Sequence, residues 1–303
     1  MSKLHIAYDD VYLDWKLGAG DGSHPTNPVR AKLAVELLES LDPVMVKPSA
    51  SESDRDLLSH VHSDEYISKV LDRGHCGEWY PDQTHLGEVA LEMAAGTIRM
   101  YEKILSGEAQ VAFNPQGAKH HAQYDHSSGF CVFNDFALAA DIATQDHGLK
   151  VAIIDIDAHH GDGVENLTRE NPNVLTFSIH EQGIFPGTGN ADEAENNVFN
   201  FPLNATTGIG DGGLLAGINR FIPIARAFAP DLLFITSGAD GLAEDPLTNL
   251  QYSLEGYAAA ARLITKAFPD TPKLMGGAGG YLPDTGTPEV WAAVAGELSR
   301  SIR

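Results

Sequence analysis

Val151-Ala152-Ile153-Ile154-Asp155-Ile156-Asp157-Ala158-His159-His160-Gly161-Asp162-Gly163 begins as an apolar run of strand length and ends in acids, imidazoles and glycines. A short segment apolar on both faces belongs in a parallel sheet covered by helices on both sides. Open sheets of that kind bind ligands beyond the carboxyl ends of their strands. Asp157 and His159 are two residues apart, so extended backbone would point them to one side, with Asp155 one step deeper. Carboxylates and imidazoles at such a place are metal-ligand chemistry.

Working outward, Val111 to Phe113, Val174 to Ser178 and Leu232 to Ser237 read as further buried strands. Helical patterns at Leu86 to Leu105, Asp135 to Thr144, Leu214 to Phe228 and Leu254 to Phe268 lie between or beyond them. Strand and helix alternate, which predicts a three-layer α/β fold with a mostly parallel central sheet. His5 to Tyr8 is expected as an edge strand, Pro28 to Leu41 as a helix opened by proline, and Leu274 to Gly280 as a last strand that breaks into glycines. No linker or low-complexity tract interrupts these segments, so one domain over residues 1–303 is expected.

Composition narrows the function. With 42 acidic against 20 basic residues the net charge is -22, which argues against nucleic acid as a partner and favours a basic peptide or a cationic small molecule. Acidic surfaces also serve solubility alone. Two cysteines, Cys76 and Cys131, exclude a disulfide framework and a cysteine-rich zinc site. Any metal must rest on histidine and carboxylate. No apolar run approaches the ~20 residues of a membrane span, and the first residues lack the apolar core of a signal peptide. A soluble cytoplasmic protein is expected.

The loops after the strands carry the unusual residues, and parallel strands bring them to one crevice. They hold Lys119-His120-His121, then Gly129-Phe130-Cys131, Phe185-Pro186-Gly187-Thr188-Gly189, Gly238-Ala239-Asp240 and Gly276-Gly277-Ala278-Gly279-Gly280-Tyr281. Asp157, His159 and Asp240 offer two carboxylates and one imidazole with an open position, which suits catalytic zinc or ferrous iron. Asp155 and Asp162 could each orient one imidazole of the His120-His121 pair. A phenol at Tyr281 could polarise a substrate carbonyl. Phe130 and Phe185 suit the walls of a passage for a slender apolar chain, or plain core packing.

These motifs resemble the zinc-dependent histone deacetylase family, which includes acetoin-utilisation proteins and acetylpolyamine amidohydrolases. The resemblance runs from His24-Pro25-Thr26-Asn27-Pro28-Val29-Arg30 to Gly280-Tyr281 and includes Ser128-Gly129-Phe130-Cys131-Val132-Phe133-Asn134-Asp135. It implies an arginase/deacetylase-like fold and a metal-dependent deacylation of acyl-lysine. It further implies zinc on Asp157, His159 and Asp240, with His121 oriented by Asp162 as general base and then general acid. His120 with Asp155 would be the electrostatic partner pair, and Tyr281 the oxyanion donor. Gly129, Phe130 and Phe185 would line the tunnel, and Asp82 would be the rim carboxylate that holds the substrate backbone. Structural potassium is implied on the carbonyls of Asp155, Asp157, His159 and Ile179 and on the Ser178 hydroxyl.

Within the family, Leu247 stands where polyamine-selective members place an acidic gatekeeper. The loop by which those members dimerise also has no counterpart between Cys76 and Leu86. Acyl-lysine in a peptide or protein is therefore expected ahead of an acetylated small amine. A binuclear manganese hydrolase of the arginase kind would need a further acid two residues after Asp240, where Leu242 stands. A catalytically silent acyl-lysine binder is the non-enzymatic alternative. Trp15 and the loop from Leu17 to His24 are expected at the mouth, and Cys131 as an inert buried thiol.

Overall fold

In the computed structural model, which describes residues 3–18, 24–206 and 208–300, the strands are β1 (His5–Ala7), β2 (Val44–Val46), β3 (Val111–Asn114), β4 (Val151–Asp155), β5 (Val174–Glu181), β6 (Val198–Leu203), β7 (Leu232–Thr236) and β8 (Lys273–Gly276). They form one sheet in the order β2-β1-β3-β8-β7-β4-β5-β6. Every pairing is parallel. The helices are α1 (Val29–Leu38), α2 (Glu52–Leu57), α3 (Asp64–Leu71), α4 (Leu86–Leu105), α5 (Asp135–Gln145), α6 (Asp162–Thr168), α7 (Asp211–Phe228), α8 (Leu254–Ala267) and α9 (Gly286–Ser299). None of them is long and apolar enough to cross a membrane.

Alternation along the strands divides the core in two. Ala112, Ile153, Phe234 and Leu274 face one way and pack with Met93, Ile98 and Phe136 of α4 and α5. Phe113, Ile154, Ile235 and Met275 face the other way and pack with Ile218 and Phe221 of α7 and with Ile264 and Val294 of α8 and α9. In α4, Leu86, Val89, Ala90, Met93, Ala94, Thr97, Ile98, Tyr101 and Ile104 are buried, the three- and four-residue spacing of one helical face.

The expected strands and long helices are present, with two corrections at the margins. β1 is not an edge strand, because it lies between β2 and β3. The edges are β2, largely exposed, and β6, which contains Pro202. Short exposed strands and strand prolines belong at edges, and for the same reason they carry little periodic signal. The last strand ends at Gly276, and residues 277–280 are loop.

One buried histidine joins two loops near the carboxyl edge. His62 Nδ1 donates to the Gln123 carbonyl at 2.9 Å, and its Nε2 accepts the Asn134 N–H at 2.9 Å. Asn134 caps α5 through the Ala137 N–H. These bonds require the neutral ring, and burial pulls the His62 pKa down to about 4. The unfolded chain therefore takes up this proton first, so the contribution is fully present above about pH 6.5 and is lost as pH falls toward 4. In urea titrations, the stability difference between the native protein and His62→Gln should narrow by about 2 kcal/mol between pH 7 and pH 5. Parallel stability curves would remove His62 from the acid response.

Candidate active site

β4 delivers Asp155 as its last residue. The chain beyond it is not extended, contrary to the simple two-residue reading. It bends, because each acid captures the backbone two residues on: Asp155 Oδ1 accepts the Asp157 N–H and Asp157 Oδ1 accepts the His159 N–H, both at 2.9 Å. Asp240, beyond β7, accepts the Ala158 N–H at 2.9 Å and meets His159 Nδ1 at 2.8 Å. Ligand atoms of Asp157, His159 and Asp240 all lie within 4.8 Å of one another, the one such group among the described residues.

The donor set fits a divalent cation. Two fully buried carboxylates face one imidazole, and burial together with the Asp157 charge pushes Asp240 up to about 7. Burial opposes the His159 cation, but bonds to Asp157 and Asp240 raise its pKa to about 11. Protons shared among such groups occupy the place a metal ion would take. Glycines make the room. A Cβ on Gly238 would meet Asp157 Oδ2 at 2.1 Å, and one on Gly279 would meet Asp157 Oδ2 and Asp240 Oδ2 at 2.6 Å.

The adjacent histidines form two separate pairs. His120 Nδ1 lies 2.7 Å from Asp155 Oδ2, and His121 Nδ1 lies 2.7 Å from Asp162 Oδ1 at the start of α6. Burial opposes the His120 cation, but the charges of Asp155 and Asp157 raise its pKa to about 9. Burial and the charge of His120 pull His121 down to about 4. His121 is thus neutral near pH 7, with Nδ1 donating to Asp162 and Nε2 left to accept.

A cleft of about 360 Å³ opens above these groups, lined by Glu78, His121, Gly129, Phe130, His159, Phe185, Leu247 and Tyr281. Phe185 is 49% exposed, so it is wall rather than core, and its ring centroid lies 5.0 Å from that of His121. Gly129 has φ +55°, and a Cβ there would meet His121 Cδ2 at 2.5 Å. Burial, with Asp240 and Asp157 adding to it, pushes the Tyr281 phenol well above its ordinary pKa and keeps it a donor.

Asp82 is exposed and does not line the cleft. Its loop is tied toward the N-terminal segment, because Gln83 Nε2 donates to the carbonyls of Lys16 and Gly18. The carboxylate at the cleft is Glu78, whose Oε2 accepts the Phe130 N–H at 2.9 Å. Residues 19–23 of the expected mouth loop lie outside the described residues. Trp15 is buried and lines a deeper chamber, not the mouth. Ser178 and Asp155 are register partners on β5 and β4, and Ile179 follows next. Cys131 is buried, and its thiol is pushed up to about 12 by burial.

Three supporting residues have roles that their type and spacing do not reveal, although Arg30 and Asp135 stand within the motifs that carry the family resemblance. Asp135 is buried and accepts the N–H groups of Ala118 and Lys119 at 2.9 and 2.7 Å, fixing the histidine loop. Asp245 accepts the Tyr281 N–H at 2.8 Å. Arg30 of α1 donates to the Gly280 carbonyl at 2.6 Å. Each acts through backbone that folding alone brings near.

The histone deacetylase domain model matches residues 24–298. The chain is 34% identical over 298 residues to the acetoin utilization protein AcuC of Bacillus subtilis (strain 168), covering 89% of this chain and 76% of that protein. It is 31% identical over 281 residues to "Histone deacetylase 10, chloroplastic" of Oryza sativa subsp. japonica, covering 82% and 63%. The crystal structure of the HDA15 HD domain has a TM-score of 0.84 at 25% identity, over 99% of this chain and 91% of that one. Shared fold and a family match along nearly its whole length mean that the chain belongs to the histone deacetylase family and is a deacetylase.

Proposed function

We propose that this chain is a zinc-dependent amidohydrolase that removes acetyl or a related short acyl group from the Nε amine of lysine in a peptide or protein. The observation that carries the reading is the pair of buried His–Asp contacts, His120 with Asp155 and His121 with Asp162, beside a buried Asp-His-Asp group. Asp157, His159 and Asp240 would hold the metal, zinc by the nitrogen and oxygen donor set, with ferrous iron as the other candidate. When bound, the ion polarises the amide carbonyl and lowers the pKa of water toward ~7.

His121 Nε2 accepts the proton of the attacking water while Asp162 holds the ring from behind, and the same imidazole then protonates the departing amine. His120, kept cationic by Asp155, stabilises the negative charge that develops nearby. The Tyr281 hydroxyl donates to the oxyanion, on a backbone held by Asp245 and Arg30. Gly129, Phe130 and Phe185 flank the stem of the acylated side chain, and Leu247 stands at the opening. Potassium, on the carbonyls of Asp155, Asp157, His159 and Ile179 and the Ser178 hydroxyl, would stiffen the bent segment from behind. A cytoplasmic single-domain protein completes the proposal.

The Glu78 carboxylate at the cleft favours a second reading, an acetylated polyamine with a free cationic amine. Zinc-loaded protein assayed on acetyl-lysine peptide, longer acyl-lysine peptides and N-acetylspermidine separates the two. Peptide turnover that vanishes in His121→Ala is expected. A preference for acetylspermidine above about tenfold would reverse the choice. Tyr281→Phe should keep its metal and lose about 10²–10³-fold in kcat, and near-native turnover would take the phenol out of the mechanism. Gly238→Ala pushes a methyl onto the Asp157 carboxylate, so metal analysis should find one ion per chain in the native protein and a marked deficit in this variant. Full occupancy would show that Asp157 is not a ligand.

A further inference from the structure

Beside the cleft lies an open groove of about 450 Å³, walled by Leu242, Glu244, Tyr252, Leu254, Leu282 and Glu289, among others. It is built from two loops that the cleft also uses. The chain from Leu242 to Leu247 gives its start to the groove and its end to the cleft, and Tyr281 lines the cleft while the next residue, Leu282, lines the groove. The loops are joined between the two spaces, where the Tyr281 N–H donates to Asp245 at 2.8 Å. Five residues of extended backbone span at most about 18 Å. A polypeptide with its acyl-lysine in the cleft therefore reaches the groove within about five residues.

The groove combines apolar walls with unspent negative charge. Leu254, the first residue of α8, is 40% exposed, and Tyr252 is fully buried with a hydroxyl that has no partner. Glu244 and Glu289 are both exposed, one in the loop after β7 and the other in the first turn of α9. Among the described residues neither carboxylate enters a hydrogen bond or an ion pair, and no lysine or arginine lines the groove. An aliphatic stem that ends in a cation suits both features, because lysine and arginine lay their methylenes on apolar surface and carry the charge to its edge. Arginine suits them better, since its planar fork offers donors to two carboxylates at once.

We infer that this groove is a docking site for an arginine or lysine side chain of the substrate polypeptide, a few residues from the acylated lysine. Leu242, Leu254 and Leu282 take its stem, and Glu244 and Glu289 take its charge. The inference rests on the proposed acyl-lysine hydrolysis and adds a sequence preference to it. A polypeptide crosses the joined loops and lowers a second side chain beyond them, whereas a linear amine seated in the cleft stays on one side.

The test moves a single arginine, against its neutral isostere citrulline, through the five positions on each side of acetyl-lysine in an otherwise uncharged peptide, with kcat/KM read on zinc-loaded protein. One position or one adjacent pair should favour arginine by about fivefold, the scale of a pair of exposed ion pairs. In Glu244→Gln/Glu289→Gln that ratio should fall to near one. Glu170→Gln/Glu195→Gln removes the same charge from exposed carboxylates ahead of β5 and β6, and should leave the ratio intact. Because each ratio is taken within one protein, lower metal loading cancels. An arginine preference that both double variants reduce alike would be the pull of the net charge and would overturn the docking site. No preference in the native protein, with acetyl-lysine hydrolysed, would overturn it too and leave the deacetylase reading standing. A groove variant that loses turnover of N-acetylspermidine but not the arginine preference would assign the groove to a polyamine instead. Failure on every acyl-lysine peptide would overturn both readings.

Discussion

Burying the carboxylates of Asp155, Asp157 and Asp240 together at one edge of a parallel sheet is costly, because each loses water and repels the others. Much of the surrounding structure offsets that cost. Segment 155–159 bends so that the N–H groups of Asp157, Ala158 and His159 reach the acids, and Gly279 adds one more. His120 and His159 supply imidazoles, and the buried Arg30 feels the charges of Asp240 and Asp157. Gly238 and Gly279 are small because the acids occupy the volume a Cβ would need. The site is therefore a consequence of how carboxylates can be kept inside a protein, and a metal ion is the remaining component that such a set accepts.

What was legible in the sequence follows the same logic. β4 stood out because a doubly buried strand must be apolar throughout, and its chemical tail followed without a gap. α4 was readable to the residue, since twenty positions of helical period leave little ambiguity. β2 and β6 were not, because an edge strand half open to water needs no apolar run. α6 and α9 also escaped notice: the first is seven residues long and begins inside the motif, the second opens with Gly286 and Pro288. In the site, residues with chemistry in their type and spacing were legible. The roles of Glu78, Asp135 and Asp245 were not, because an acid that holds a distant N–H looks in sequence like any surface acid, and that of Arg30 was not, because its carbonyl partner is 250 residues away.

His120 and His121 are consecutive, yet one is held as a cation and the other as a neutral base. Composition cannot separate them, and burial alone would lower both. The difference comes from the elements that supply their acids. Asp155 closes a central strand, so His120 faces a carboxylate with Asp157 beside it, and the sum of two charges exceeds the cost of burial. Asp162 opens α6 and shares its charge with Gln123 Nε2, which donates to Oδ2 at 2.9 Å. It therefore offers His121 less, while His120, with ring centroids 4.0 Å away, repels a second positive charge. The first proton taken by the pair thus prevents the second, and this coupling is what leaves a base poised at the floor of the cleft. Asp135 holds the loop in front of both rings by its backbone, so neither imidazole can turn to the other's acid without breaking that anchor.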